Sequence, residues 1–96
     1  MIDDLNAAFE KFAEEYLGFE RIKNPLFNRP DLCAFVLLQK LVPGSGHMIN
    51  GAEEDVIYLS VDIEKLAQVA SDEDIIYLRR CGVGYNNKYN CLVMFV

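Results

Sequence analysis

The sequence predicts an α+β fold of two layers, in which helices cover one face of a three-stranded, mostly antiparallel sheet. Two patterns predict it. Apolar residues recur at helical spacing in several segments, and apolar or β-branched runs of strand length occur at 56–61 and 91–96. Elements that are apolar on one face bury that face against one another, so two layers are the simplest arrangement. The expected element order is α-α-β-α-α-β-β.

A first helix is expected from about residue 4 to residue 17. Its apolar positions follow the i, i+4, i+7, i+11 pattern of one helix face, and they are Leu5, Phe9, Phe12 and Tyr16. Asp3 or Asp4 can cap its start, because a carboxylate accepts hydrogen bonds from the free N–H groups of a first turn. Gly18 can adopt the positive φ that ends a helix.

A second helix is expected to begin at Pro30, because proline is suited to a first helical turn. Residues 32–41 are apolar on nearly every side, which predicts burial on more than one face of this helix. Pro43 and Gly44 end it. Residues 44–55 are expected to form a loop, with a short helical turn from Met48 to Ala52.

The next segment combines a strand with two short helices. The strand is expected at 56–61, and Asp62 can cap a helix over 63–69. Ser71 can cap a further helix, which Gly82 ends. This helix begins with three acids and ends with two arginines, a charge order that complements the helix dipole at both ends.

A β-hairpin is expected at the end of the sequence. Its strands are placed at 83–85 and 91–96, around an asparagine-rich turn whose residues tolerate left-handed backbone. Cys81 and Cys91 flank this hairpin and could approach each other. A disulfide between them is not expected in a cytosolic protein.

Length and composition indicate one folded domain covering residues 1–96. The hydrophobic fraction of 52% is enough to bury a core, which excludes disorder. Asp3 and Asp4 stand where a secretory signal needs bases, and the longest apolar stretch, 32–38, is far shorter than the roughly 20 residues that span a bilayer. Three scattered cysteines argue against a secreted disulfide framework. We therefore expect a cytoplasmic protein without a membrane partner.

The charge of the chain is unevenly distributed. The net charge is −6, and residues 50–78 hold eight acids against one base, whereas the bases prevail from Arg79 onward. Such a field repels nucleic acid and attracts a basic protein surface. The candidate partner-binding residues are Glu53, Glu54, Asp55, Asp72, Glu73 and Asp74. Acids in a first helical turn also stabilise the helix by about 0.3–1 kcal/mol each, so helix capping stays open as the alternative.

No catalytic, cofactor or metal site is expected. His47, the only histidine, lacks the spacing to Ser45 or to a cysteine that would indicate a nucleophile and its base. The Gly44–Gly46 turn lacks the Gly-Lys-Ser/Thr ending of a phosphate-binding loop. His47 and the three cysteines could in principle bind zinc, but no two of them are two to four residues apart. Core packing is the expected role of Cys33 and Cys91.

The two short helices joined near Ser71 have the length of a helix-turn-helix. A recognition helix needs basic and amide side chains to contact phosphates and base edges. This one opens with Asp72, Glu73 and Asp74, so direct nucleic-acid binding is not expected.

Five segments resemble small bacteriophage and prophage proteins of unassigned function. They are 37–44, 52–62, 70–75, 80–83 and 94–96. The resemblance implies a phage-encoded accessory protein, located in the host cytoplasm, and it transfers no catalytic residue.

The function expected from the sequence is non-enzymatic binding of a host or phage protein with a basic surface. Within that class, we expect an acidic inhibitor of a nucleic-acid-binding host system, of the anti-CRISPR or DNA-mimic type. Two alternatives stay open. One is an assembly component that forms homo-oligomers, and the other is a small enzyme that uses His47.

Overall fold

The computed structural model describes residues 2–95. Over these residues the sheet has four antiparallel strands, one more than the sequence predicts. Its strands are β1 (Ile49–Glu53), β2 (Val56–Leu59), β3 (Val83–Asn86) and β4 (Cys91–Phe95), in the spatial order β1-β2-β4-β3. The α+β class is confirmed, whereas three strands and the order α-α-β-α-α-β-β are wrong.

Strand β1 replaces the expected loop and helical turn at Met48 to Ala52. Its sequence, Ile-Asn-Gly-Ala-Glu, holds a single β-branched residue and has weak strand propensity. The strand forms because Glu54 and Asp55 make a two-residue turn that folds it back onto β2, with Ala52 opposite Ile57. Pairing with a neighbour, rather than local propensity, therefore determines this strand.

The helices begin where the sequence predicts their starts. They are α1 (Leu5–Lys11), α2 (Pro30–Leu41), α3 (Ile63–Val69) and α4 (Asp72–Arg80), with short 3-10 turns at Ala13–Glu15 and Phe19–Arg21. The Asp4 carboxylate accepts from the Ala7 N–H and the Asp62 carboxylate from the Lys65 N–H. Ser71 and Asp74 form a reciprocal capping box at the start of α4.

Helix α1 ends at Lys11, earlier than the expected residue 17. The positive φ expected at Gly18 occurs instead at Leu17, where φ is 61°, and Gly18 has φ −84°. The Leu17 N–H donates to the Arg79 carbonyl oxygen at 3.0 Å, which joins this segment to the last turn of α4. The Arg21 guanidinium lies over Gly18, so a larger residue at position 18 would require this side chain to shift.

Helix α2 is buried on one face only, so the expectation of burial on more than one face is wrong. Cys33, Ala34 and Leu38 are buried, whereas Leu32 and Val36 are 38% and 39% exposed. An apolar helix need not be surrounded when the chain is too short to cover all of its sides.

The core lies between the helices and one face of the sheet. Helix α4 contacts α1, α2 and β3. Alternation along the strands points Leu59, Leu92 and Met94 into this core, and Tyr58 and Val93 to the opposite face. The largest fully buried side chains are Phe9, Leu38, Leu59, Leu66, Ile75, Leu78, Leu92 and Val83.

Within residues 2–95, no helix is both long enough and apolar enough to cross a membrane.

Candidate functional site

The six acids that the sequence offers as partner-binding residues fall into two groups. Glu53 ends β1, and Glu54 and Asp55 form the turn to β2. Asp72, Glu73 and Asp74 form the first turn of α4. Asp74 is half-buried and the other five are exposed.

These two groups lie on separate elements of the fold. Val56 pairs with Phe95 and Val83 pairs with Met94, so the β1–β2 turn and the start of β3 share one end of the sheet. Helix α4 leads into Val83 within two residues and is nine residues long, about 13 Å at 1.5 Å per residue. Its acidic first turn therefore lies at the far end of α4 from Val83, about one helix length away.

The acids of α4 have structural partners. The Ser71 N–H donates to Asp74 Oδ2 at 2.9 Å, and the Asp74 N–H donates to Ser71 Oγ at 3.1 Å. Lys11 Nζ lies 3.7 Å from Asp72 Oδ2, in an exposed ion pair. Helix capping therefore accounts for much of this group.

The acids of the β1–β2 turn are less engaged. The Tyr58 hydroxyl donates to Glu53 Oε2 at 3.2 Å. Burial first, and then the Glu53 carboxylate, raise the pKa of Tyr58 above its ordinary value. Glu54 and Asp55 make no side-chain hydrogen bond or ion pair to the rest of the described chain, so both carboxylates face solvent.

An apolar groove of about 530 Å³ lies beside β1, on the core-facing side of the sheet. We call it the β1 groove. Its main apolar walls are Leu17, Phe35, Ile49, Ile57 and Met94, and it is bordered at the end of β4 by Phe95, which strand alternation assigns to the other face. Leu17, Ile49 and Phe95 are 63%, 45% and 61% exposed, which is high for large apolar side chains that lie together. Among residues 2–95, Asp31 is the one charged residue that lines the groove.

Strand β1 is an edge strand, paired with β2 alone, and all five of its residues are exposed. On its other face lies a shallower depression of about 290 Å³ that includes Tyr58 and Tyr89. These two rings meet edge to face with their centroids 5.7 Å apart. Gly51 has no side chain to cover the Tyr58 ring beside it. A Cβ on Gly51 would lie 3.9 Å from Tyr58 Cδ2, in ordinary contact.

Hydrogen-bond alternation places the backbone of Ala52 at the free edge of the sheet. Glu53 and Val56 flank a two-residue turn, and such a closing pair is hydrogen-bonded. In an antiparallel ladder, bonded and non-bonded pairs alternate, so Ala52 and Ile57 form a non-bonded pair. The N–H and C=O of Ala52 therefore point away from β2.

His47 lies exposed in a shallow depression of about 50 Å³. Ser45 also lines this depression, but no cysteine or carboxylate does. The loop is held by Gln39, whose side-chain amide both donates to the Gly44 carbonyl oxygen and accepts from the Gly44 N–H.

The cysteines lie apart from His47 and have free thiols. Cys33 and Cys81 are buried, and Cys91 is half-buried. Asn86 pairs with Cys91 and Val83 with Met94, so Cys81 and Cys91 lie at opposite ends of the hairpin, and the suggested approach of these two residues is wrong. Across residues 2–95, no three His, Cys, Asp or Glu side chains are grouped to hold a metal ion.

The β1 groove and the free edge could not be found from the sequence. The groove walls come from the segment after α1, from α2 and from three strands, so no local spacing signals them. The only sequence sign was an apolar surplus outside the predicted core, notably at Leu17 and Ile49. Comparison of the chain with protein-family models, with curated proteins and with solved structures finds no match.

Proposed function

We propose that this chain is a non-enzymatic binding domain that holds an extended, basic segment of a partner protein against the edge of β1. One observation carries the proposal: the free edge of β1 is fully exposed, lies beside the β1 groove and ends at the acidic β1–β2 turn. Each of these three features supplies a different part of the recognition.

The backbone of β1 supplies the pairing. An extended segment can add to a free sheet edge through main-chain hydrogen bonds, which need no particular side chains in the partner. Ala52 offers one donor and one acceptor in the outward direction. A register shift between Ile49 and Gly51 interrupts the ladder there, so the pairing segment is short, Gly51 to Glu53.

The two faces beside β1 supply side-chain selectivity. Successive side chains of an added strand point to opposite faces of the sheet. On one face they enter the β1 groove, between Ile49 and Phe35, and on the other they reach the rings of Tyr58 and Tyr89. Apolar or aromatic residues at adjacent positions of the partner segment fit both faces.

The negative charge of the β1–β2 turn favours a partner segment with positive charge. Glu53, Glu54 and Asp55 adjoin the edge, and Asp31 lines the groove. Lysine or arginine flanking the partner's apolar residues would meet these carboxylates, speeding association at low salt. A second copy of this chain carries the same net charge of −6 and is therefore a poorer occupant than a basic protein.

The resemblance to phage proteins extends the proposal to the class of partner. We propose a host protein in the cytoplasm whose basic surface normally holds nucleic acid, with the chain acting as its inhibitor. Within this proposal the β1–β2 turn contacts the partner, and the acids of α4 chiefly stabilise their own helix.

The test compares proteins captured from host lysate by the wild-type chain and by three variants. Glu54→Gln/Asp55→Asn and Asp72→Asn/Glu73→Gln remove the same charge from the two acidic groups. Ala52→Pro removes the outward N–H of β1, at an edge position where proline leaves the β2 ladder intact.

We expect one basic protein to be captured by the wild type and by the Asp72/Glu73 variant, and lost with the other two variants. Its capture should weaken about tenfold or more when salt rises from about 0.05 to 0.5 M, because exposed charges are screened. Capture that is equal across all four chains would reject the edge site, and loss confined to the Asp72/Glu73 variant would assign recognition to α4 instead.

A further inference from the structure

A second groove, of about 370 Å³, lies at the β3 edge of the sheet and shares only Phe95 with the β1 groove among the described residues. It is bounded by α1, the 3-10 turn after it and strand β3, which is the other edge of the sheet. We call it the Arg79 groove. The Arg79 guanidinium carbon lies 5.7 Å from the centre of the Phe9 ring and 5.2 Å from that of Tyr16. Aromatic faces thus hold a cation at the wall of the groove.

Arg79 is incompletely paired within the chain. Its Nη1 donates to the Val83 carbonyl oxygen at 3.2 Å. Its Nε is buried and has no hydrogen-bond partner. No carboxylate among residues 2–95 lies within ion-pair distance, in contrast to Arg80, which bonds to Glu15. Burial lowers the pKa of Arg79, as expected for a cation that is partly removed from water without a counter-charge.

The terminal nitrogens of this guanidinium can still pair with a carboxylate. Nη1 carries a second N–H beside the one that bonds to Val83, and Nη2 has no acceptor within the described residues. Together these two groups can donate to the two oxygens of one planar carboxylate, whereas the buried Nε is closed to a ligand. An acceptor for the terminal pair can enter through the groove that Arg79 lines.

We infer that the Arg79 groove binds a small carboxylate ligand with an apolar, ring-sized body. The carboxylate pairs with the guanidinium, and the body contacts the Tyr16, Tyr85 and Val93 side chains that line the groove. The volume lies within the range of small-molecule sites, roughly 300–1,000 Å³. Glu10 also lines the groove, so its carboxylate weakens binding of an anion without blocking it.

Gly84 keeps the space beside the guanidinium open. A Cβ on Gly84 would lie 3.7 Å from Arg79 Nη1 and 3.5 Å from Val93 Cγ2, both ordinary contacts. A longer side chain would extend beyond them into the groove. Gly84→Val is therefore expected to fold, since valine is favoured in strands, and to fill the site.

The inference is independent of the proposed function. β1 and β3 are the two opposite edges of the sheet, and Arg79, Gly84 and Glu10 do not line the β1 groove. A negative result for the site at one edge therefore does not count against the site proposed at the other edge.

The experiment is a titration of the ¹⁵N-labelled chain with 3-phenylpropionate, and with 3-phenylpropionamide as an uncharged probe of the same shape. We expect the acid to bind about tenfold or more tightly than the amide, with shifts at the amides of Ala13 and Gly84. Arg79→Met and Gly84→Val should each lose about tenfold or more in affinity. Glu10→Gln should gain about two- to fivefold, because a repelling charge is removed.

Several results would overturn the inference. Equal affinity for acid and amide would show that the guanidinium does not pair with the ligand. Acid binding that Glu10→Gln and Gly84→Val leave unchanged would place the ligand elsewhere, even if Arg79→Met failed to fold. Absence of shifts at about 10 mM acid in the folded wild type would exclude a site of this kind.

Discussion

Arg80 Nε donates to Glu15 Oε1 at 3.0 Å, across 65 positions of the chain. The same oxygen accepts from Arg21, whose Nε and Nη2 lie 3.2 and 3.1 Å away. One carboxylate oxygen thus joins the end of α4 to the irregular segment after α1. Because Leu17 in that segment forms a wall of the β1 groove, the contact also fixes one side of the candidate site.

The pH dependence of stability should report this contact. The hydrogen bond from Arg80, with a further one from Arg21, holds the pKa of Glu15 below 4.5 despite its partial burial. A carboxylate whose pKa is lowered by folding stabilises the fold above its unfolded pKa, and this contribution is lost as pH falls through the folded pKa.

Glu15→Gln should therefore lower the Tm at pH 7, and the difference from wild type should shrink below about pH 4.5. Thermal unfolding followed by circular dichroism from pH 7 to pH 3 measures both. Glu14→Gln is the matched control, since its exposed carboxylate makes no such bond, and it should leave the Tm unchanged. A Glu15→Gln difference that is constant across this pH range would refute the account.

Ser71→Ala should destabilise the fold by about 1 kcal/mol, because it removes the side-chain acceptor of the capping box. Urea denaturation measures this change. Ser60→Ala, at an exposed position outside any cap, is the control and should stay within about 0.5 kcal/mol of wild type. Equal effects at the two serines would mean that the cap contributes nothing.

The thiols should differ in reactivity. Burial raises the pKa of Cys81 to about 12 and also raises that of Cys91, which is only half-buried. Thiolates are the reactive form, so alkylation of the native chain at about pH 8 should modify Cys91 first and leave Cys33 and Cys81 unmodified until the chain unfolds. Mass spectrometry after timed alkylation resolves the three sites. Early modification of Cys81 would contradict the packing described for α4.

Leu17 offers a test of the β1 groove that does not depend on breaking the fold. It is exposed and has a left-handed φ of 61°, a conformation that glycine adopts more easily. Leu17→Gly should leave the free energy of unfolding within about 1 kcal/mol of wild type, because relief of backbone strain offsets the added freedom of the unfolded chain. The same variant should bind the captured partner more weakly, as calorimetry would show. Unchanged affinity would remove Leu17 from the binding surface.

Local signals predicted much of the fold and little of the candidate site. Asp62 and Ser71 cap the helices that they were expected to cap, and Pro30 opens α2, because these interactions involve residues within a single turn. The predicted end of α1 at residue 17 was wrong: the helix stops at Lys11, and the Leu17 N–H bonds instead to the Arg79 carbonyl oxygen, a contact that no local pattern predicts.

The acidic residues also show that local sequence predicts less than the fold determines. Composition identified all six, but only the fold places Glu54 in the β1–β2 turn and Asp72 in the first turn of α4. The free edge and the groove beside it arise from the pairing of β1 with β2. No sequence pattern within residues 49–53 predicts this pairing.

The most direct test of the central claim is the hydrogen exchange of the Ala52 amide in the free chain and in the complex with the captured basic partner. In the free chain this outward-facing N–H should exchange with the fast amides. Saturation with partner should slow it about tenfold or more, because an added strand supplies its acceptor. An Ala52 exchange rate that the partner leaves unchanged, with protection at the first turn of α4 instead, would contradict binding at the β1 edge.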